Sequence, residues 1–461
     1  MQVSVETTSN LGRRMTVGVP KEDIEREVQN RFKGLARETK INGFRPGKVP
    51  LRLIEQKFGQ RVRLEVISEF IQNSYEDALQ QEKLSPAGEP KIDLSGEIKD
   101  PIHHLESLGQ LSYTATFEVY PELVDIKTDG FVVEKPIVEI VDTDVDDMLH
   151  KLREQRATWQ DNNERTIVQG DRVNIDFIGT IDGVPFKGSD AKQFSVTLGK
   201  DKLYIPGLEN ALIGCHAGDT RELDVSFAEN HPNTEIAGKS VHFSIKINSV
   251  AVAELPEVTP EFIKALGVED GSEASLRSEM RDNMQREMEF VIKNKIKSQL
   301  MDALVTQNTI ELPDSLIELE KKRIIESARR ELKRRGAEDS ELAKFLPSEE
   351  KLEASSRERV KLGLLISYVI ESQKLTASRD KVSELIERIA LTSPYPTEEV
   401  MKYYYANADR LKEIESMVLE DEVTNVLLAE AQVNEVASSF EALMRPKAAD
   451  GSEEGETHAH G

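Results

Sequence analysis

The chain has 461 residues, 38% of them hydrophobic and 31% charged but only 5% aromatic, with a formal net charge of −24. This length exceeds one ordinary core and points to about two to four domains, and the charged, aromatic-poor make-up suits long solvated helices better than a compact enzyme. No apolar run approaches the roughly 20 residues that cross a bilayer. Met1 to Glu6 lacks the basic and apolar regions of an export signal, and the single cysteine, Cys215, excludes an internal disulfide and fits a reducing cytoplasm.

In chain order, Val3 and Val5, then Met15, Val17 and Val19, alternate with polar residues as half-buried strands do. Pro20 suits the first turn of a following helix, whose apolar positions are Ile24, Val28, Phe32 and Leu35. Helical spacing resumes at Leu51, Ile54 and Phe58 and continues through Val62, Val66, Ile67, Phe70, Ile71 and Leu79. Between these runs lies Gly43-Phe44-Arg45-Pro46-Gly47-Lys48-Val49-Pro50, where two glycines and two prolines bar regular structure. The expectation is a stiff loop at the tip of a helix pair, presenting Phe44, Arg45 and Lys48 to something anionic. On spacing alone, a plain helix connector carrying incidental charge fits equally well.

The charge map favours a docking end. From Arg13 to Arg63 there are 14 Lys or Arg against 6 Asp or Glu, a local +8 that leaves −32 for the remainder. An acidic body repels nucleic acid while this segment is drawn to it, and that attraction should weaken with salt.

Leu111, Tyr113, Ala115, Phe117 and Val119 alternate as a further strand closed by Pro121, which completes a small α+β domain. Residues 121–142 read as an extended connector rather than a core, and Thr143 can cap a helix whose inner face is Val145, Met148, Leu149 and Leu152. From Gly170 the texture is β. Val173, Ile175 and Phe177 alternate, Asp182-Gly183 is a hairpin dipeptide, and strands follow around Val225 and around Phe243 to Ile247.

Beyond Pro256 and Pro260 the pattern is almost wholly helical to about residue 445. Leu276, Met280, Met284, Met288, Ile292, Ile296, Leu300 and Leu304 recur every four residues, so their stripe winds around the helix and its ends face different neighbours. Pro313 opens a further helix that Gly336 closes, and others cover Leu352–Leu375, Val382–Leu391 and Arg410–Leu428. The acidic end, residues 446–461, has the composition of a disordered tail.

Several motifs carry a resemblance. Gly-Phe-Arg-x-Gly-Lys-x-Pro at Gly43 to Pro50 resembles the ribosome-docking signature of the trigger factor family, bacterial chaperones that meet nascent chains at the exit tunnel. The Asp144-Val145-Asp146-Asp147-Met148-Leu149 run resembles that family's connector. Leu391 to Val400 and Val418 to Val423 resemble its C-terminal domain. Leu198-Gly199, Ile205-Pro206-Gly207-Leu208-Glu209 and Gly214 to Asp219, with the strands around them, resemble an FKBP-type prolyl isomerase.

The resemblance implies a multidomain α+β protein. It consists of a ribosome-binding domain (1–115), a connector with a linker helix (116–160) and an FKBP-like antiparallel β half-barrel with a short helix (161–250), then an elongated all-α chaperone domain (251–445) and the tail. In the family the C-terminal helices pack beside the docking domain and the isomerase lies at the far end. The implied activity is that of an ATP-independent cytoplasmic chaperone that is also a peptidyl-prolyl isomerase, without cofactor or metal. Its partners would be nascent chains and the ribosome near the exit tunnel, through ribosomal protein and rRNA. A homodimer off the ribosome is a further possibility, and no membrane partner is expected.

Docking falls on Phe44, Arg45 and Lys48, shaped by Gly43, Pro46, Gly47 and Pro50. The isomerase pocket falls on Phe177, Phe186, Phe194, Tyr204, Ile205, Leu208 and Phe243, one or two of these serving as barrel core. The chain departs from the FKBP pattern at Leu208, where relatives have Trp, at Lys187 in place of an acid, and at His231, near the usual position of a tyrosine. Two readings compete with the chaperone: an isomerase working mainly off the ribosome, and a dimeric assembly factor with the loop buried.

Four other features have ordinary explanations. Met280, Met284 and Met288 can form an adaptable client surface but at helical spacing more often make core. Tyr403, Tyr404 and Tyr405 cannot all face one side of a helix, and Tyr395 poses the same choice. Cys215 and His216 have the residue types of a nucleophilic pair, yet adjacent side chains diverge. His458 and His460 are a weak metal pair in the tail.

Overall fold

The computed structural model describes residues 2–39, 44, 49–94, 100–199, 205–228, 236–336, 346–391 and 393–445. It divides into two compact units, Met1–Lys135 with Lys295–Asn434, and Pro136–Asn294 with Glu435–Gly461.

The N-terminal sheet is antiparallel and continuous. Strands β1 (Gln2–Thr7), β2 (Gly12–Pro20), β3 (Lys91–Leu94) and β4 (Gln110–Glu118) lie in the order β1-β2-β4-β3. Their registers carry no shift, from Gln2↔Gly18 to Thr7↔Arg13 and from Gly12↔Glu118 to Pro20↔Gln110. Strict alternation therefore sends Met15, Val17, Leu111, Tyr113, Ala115 and Phe117 to one face. Helices α1 (Lys21–Glu38) and α2 (Leu51–Glu82) supply Ile24, Val28, Phe32, Ile54, Val62, Val66 and Ile67 to the same core. Pro20 sits at the N-cap, one residue before the first turn, where it forfeits no helical hydrogen bond. A short helix, α3 (Pro101–Leu108), is capped by the Asp100 side chain and leads into β4.

The connector is less plain than its composition implies. It contains β5 (Val132–Ile137), and Phe131 and Val133 are fully buried. Helix α4 (Asp142–Gln155) starts before Thr143; the cap contact comes from Asp144, whose carboxylate accepts the Val141 N–H at 3.0 Å. Trp159 lies in a strand, β6 (Thr158–Asp161), and the Arg172 guanidinium stacks 3.9 Å from its ring centroid.

Five strands form the second sheet: β6, β7 (Arg172–Ile181), β8 (Val184–Thr197), β9 (Thr220–Ser226) and β10 (Ser240–Glu254), with α5 (Leu208–Leu212) before β9. The order is β6-β10-β7-β8, and β9 also pairs with β10. Asp182 and Gly183 both have positive φ, 50° and 79°, as a two-residue hairpin turn requires. The core holds Val173, Ile175, Val196, Leu198, Leu208, Val241, Phe243, Ile245 and Ile247.

Helix α6 (Pro260–Ala265) precedes the 35-residue α7 (Glu273–Gln307). Leu276, Met280, Met284 and Met288 pack with Val145, Leu149, Ile263 and Phe440, which makes the methionines core in this structure. In the other unit, Leu300 and Leu304 are fully buried, and Asn308 exchanges hydrogen bonds with the Lys127 backbone at 2.7 and 2.9 Å.

The remaining helices are α8 (Asp314–Arg334), α9 (Glu349–Gln373), α10 (Arg379–Leu391), α11 (Thr397–Tyr405) and α12 (Ala408–Ala429). Pro313 caps α8, and Gly336, at φ 74°, follows its end. The chain is not helical to residue 445. β11 (Gln432–Ala437) pairs with β5, and only then does α13 (Phe440–Met444) form. All six β11 residues are exposed, so the strand is held by backbone bonds such as Gln432 N–H to the Phe131 carbonyl at 2.7 Å. No burial pattern in the sequence marks it.

Candidate functional site

The first candidate is the tip of the α1–α2 pair. Thr39 closes α1 by donating its N–H to the Leu35 carbonyl at 2.9 Å, and Pro50 caps α2. Val49, just before α2, is buried in the N-terminal core. Phe44 stands 41% exposed, too much for a ring in a packed connector. Gly43, Arg45, Pro46, Gly47 and Lys48 lie outside the described residues.

Ion pairs brace the two helices below the tip. Arg63 reaches Glu25 at 2.7 Å and Glu55 at 3.4 Å, and Arg31 reaches Glu69 at 2.6 Å. Several of the basic cations are thereby neutralised locally. Arg37, in the last turn of α1, and Arg52, in the first turn of α2, are exposed and have no carboxylate partner among the described residues. A cation in a first turn opposes the helix dipole, so Arg52 is not placed there for helix stability. The sequence reading counted both only as general charge. Their signal was position: cations in the two turns that flank a Gly/Pro loop.

The second candidate is the aromatic cluster of the five-stranded sheet. The Phe177 ring meets Phe194 edge-on (centroids 5.8 Å, 88°) and Phe243 (6.1 Å, 68°). Phe177 and Phe243 occupy adjacent strands, paired with Ile245 and Gly179 respectively. Gly179 makes this possible, because a Cβ there would lie 2.7 Å from Phe243 Cε1. Phe243 and Leu208 are buried, while Phe177, Phe186 and Ile205 are half-buried against the same core. Phe194 is 40% exposed, which leaves one ring of the cluster open to a ligand. Tyr204 and His231 lie outside the described residues, as does the Lys187 side chain. The cluster is apolar, and no base or nucleophile points at it from the residues that form it.

Asp176, on β7 beside Phe177, accepts the Gln193 N–H at 2.7 Å and the Asn248 amide at 2.8 Å. These bonds, Gln193 first, hold its carboxyl below the ordinary range. Farther along β10, His242 pairs with Asp224 of β9, and its Nδ1 lies 2.7 Å from that carboxylate, whose hydrogen bond and charge raise the imidazole above its usual value.

Cys215 and His216 form no nucleophilic pair. The Cys215 thiol is buried and faces the Ala211 carbonyl, whereas His216 Nε2 lies 3.0 Å from Thr166 Oγ1. Of the tyrosine run, Tyr404 packs into the α10–α12 core while Tyr403 and Tyr405 are exposed, as is Tyr395. His458 and His460 lie outside the described residues.

Comparison with known proteins agrees along the whole chain. Residues 1–152 match the profile of the bacterial trigger factor protein, 274–429 that of its C-terminus, and 163–249 that of the FKBP-type peptidyl-prolyl cis-trans isomerases. The chain is 41% identical to the trigger factor of Cellvibrio japonicus over 453 residues, covering 97% of this chain and all of the relative. It is 40% identical to that of Stutzerimonas stutzeri (97% and 98% covered) and 38% identical to that of Pseudoalteromonas atlantica (97% and 100%).

Proposed function

The chain belongs to the trigger factor family, ribosome-associated chaperones with an FKBP-type peptidyl-prolyl isomerase domain, and from that premise we propose how its residues divide the work. Residues 1–115 dock on the ribosome near the nascent-chain exit, 161–250 isomerise X-Pro bonds, and 251–445 hold unfolded clients without ATP. The connector and the tail lie outside these three tasks.

The observation that carries the docking reading is Phe44, exposed at the end of a braced helix pair. An exposed ring, followed in the chain by Arg45 and Lys48 and flanked by Arg37 and Arg52 in the adjoining helix turns, would meet an anionic surface with both charge and apolar contact. Ribosomal protein and rRNA each offer such a surface. Client contact is assigned to exposed apolar side chains of the helical region, Leu391, Tyr395, Tyr403 and Tyr405, because the methionine stripe is core.

In the isomerase domain, the pocket is assigned to Phe177, Phe186, Phe194, Ile205, Leu208 and Phe243, and to Tyr204 on its sequence position alone. Amide resonance sets a barrier of about 18–20 kcal/mol to X-Pro rotation. The twisted amide has less charge separation than the planar one, so a dry apolar wall favours it and no nucleophile is needed.

The test of docking is co-sedimentation with ribosomes at low and high salt. Wild type should pellet at low salt and be released as salt rises, and Phe44→Ala/Arg45→Ala/Lys48→Ala should stay in the supernatant at both. Equal pelleting of the triple variant sinks the assignment, and a concentration-dependent dimer that excludes ribosomes points to the loop as a self-interface.

A further inference from the structure

The isomerase sheet breaks register three times, and two of these interruptions meet at one carboxylate. Along β7 and β8, Ile175 pairs with Phe194 but Phe177 pairs with Ala191, so Lys192 and Gln193 together oppose Asp176. Along β10, Ile247 pairs with Ile175 and Ser249 with Asn174, which leaves Asn248 as the extra residue. These are β-bulges on the two neighbours of β7, one residue apart.

The bulge in β8 decides where Phe194 points. The register set by Phe177↔Ala191 and Ile178↔Asp190 would, if continued, place Gln193 opposite Ile175 and turn Phe194 to the other face. The extra residue restores the phase, so Phe194 shares a face with Ile175 and Phe177 and its ring reaches Phe177 edge-on. The bulge requires Gln193 at φ 52°, a left-handed backbone that a residue with a Cβ resists.

Asp176 supplies the compensation. Its Oδ1 accepts the Gln193 N–H (2.7 Å) and the Asn248 side-chain amide (2.8 Å), and that amide also donates to Asn174 Oδ1 at 3.0 Å. One short acceptor thus ties β7 to the odd residue of each flanking strand. We propose that Asp176 is a positioning residue of the isomerase site: by clamping the Gln193 bulge it holds the Phe194 ring on the pocket face. The inference rests on the assignment of Phe194 to the pocket made above. Asp176 itself touches no substrate.

The test uses the full chain with Asp176→Ala, Asp176→Asn, Asp176→Ala/Gln193→Gly and Phe194→Ala. Two quantities are read: kcat/KM for a proline-containing tetrapeptide, and hydrogen exchange of the amide at position 193. Asp176→Ala should lower kcat/KM roughly threefold to tenfold and speed exchange at residue 193. Asp176→Asn keeps an accepting Oδ1 and should stay near wild type. Glycine adopts positive φ without a carboxylate to hold it, so Gln193→Gly should recover most of the activity lost in Asp176→Ala. Wild-type exchange and activity in Asp176→Ala overturn the proposal, as does a loss that Gln193→Gly does not recover. Unchanged activity in Phe194→Ala removes the pocket assignment, and the positioning role with it. Exchange at residue 193 reports the clamp independently, so the two failures are told apart.

Discussion

The two sheets of this protein are built to different rules. The N-terminal sheet keeps one register along all three strand pairs, so every second side chain faces the helices and the sheet serves as a platform. The isomerase sheet breaks register beside its aromatic cluster and keeps a glycine at Gly179 where a side chain would collide with Phe243. A regular sheet maximises packing; a bulged one gives up ladder bonds to aim particular rings. The first carries the helix pair whose tip is the proposed docking site, and the second holds the proposed pocket on its own strands.

Breaking the platform should have the largest effect on stability and the least on catalysis. Phe32→Ala removes a ring that is 1% exposed in the N-terminal core, and the expected loss is about 3–5 kcal/mol. Denaturant unfolding monitors it, with isomerase kcat/KM near wild type as the control. A comparable fall in catalysis would mean that the two regions are not separable.

Gly179→Val addresses the other sheet. Its Cβ meets Phe243, so overpacking should cost about 1–3 kcal/mol in that domain and displace the ring. Proline isomerisation should drop by at least tenfold while ribosome co-sedimentation is unchanged. Retained activity would show that Phe243 can move without consequence.

Two buried tyrosines sharpen the account of the platform. Tyr113 is fully buried and its hydroxyl lies 2.8 Å from Ser74 Oγ and donates to the Ile71 carbonyl at 3.1 Å, so Tyr113→Phe should lose about 1 kcal/mol. The Tyr75 hydroxyl is buried without a partner among the described residues, and burial pushes its pKa up to about 12. Tyr75→Phe should therefore be neutral or stabilising by up to about 1 kcal/mol. Urea midpoints of the two variants should move in opposite directions or, at minimum, differ.

The smallest effect concerns pH. The folded-state pKa of His242 is raised, first by its hydrogen bond to Asp224, so the pair contributes fully below the ordinary imidazole value of 6.5 and fades as pH rises through the raised value. Melting temperatures between pH 5.5 and 8.5 should decline more steeply for wild type than for Asp224→Asn. Parallel curves would remove the pair from the account.

Much of this was legible in one dimension. Alternation in Met15 to Val19 and Leu111 to Phe117 marks strands because a half-buried strand must repeat every second residue. The break between α1 and α2 was legible because the glycines and prolines there forbid a continuous helix whatever surrounds them. Asp182-Gly183 was legible for the same local reason. The N-cap lies at Val141, two residues before the Thr143 of the sequence reading, and the Asp144 carboxylate makes the cap contact, since Thr143 and Asp144 both suit a helix start and only the backbone decides which one bonds.

What escaped depended on a partner. Strand β11 buries no side chain, so its pairing with β5 leaves no periodic trace. The methionine stripe announced a buried helix face without saying what covers it, and Val145, Leu149 and Phe440, far away in the chain, supply the answer. The sequence by itself determined the family, the order of the domains and the residue types at both candidate sites. Tertiary structure alone decided which phenylalanines meet and which cations near the loop remain unpaired. It also placed Lys192 and Gln193 together opposite Asp176, because a bulge is a relation between two strands and neither strand encodes it alone.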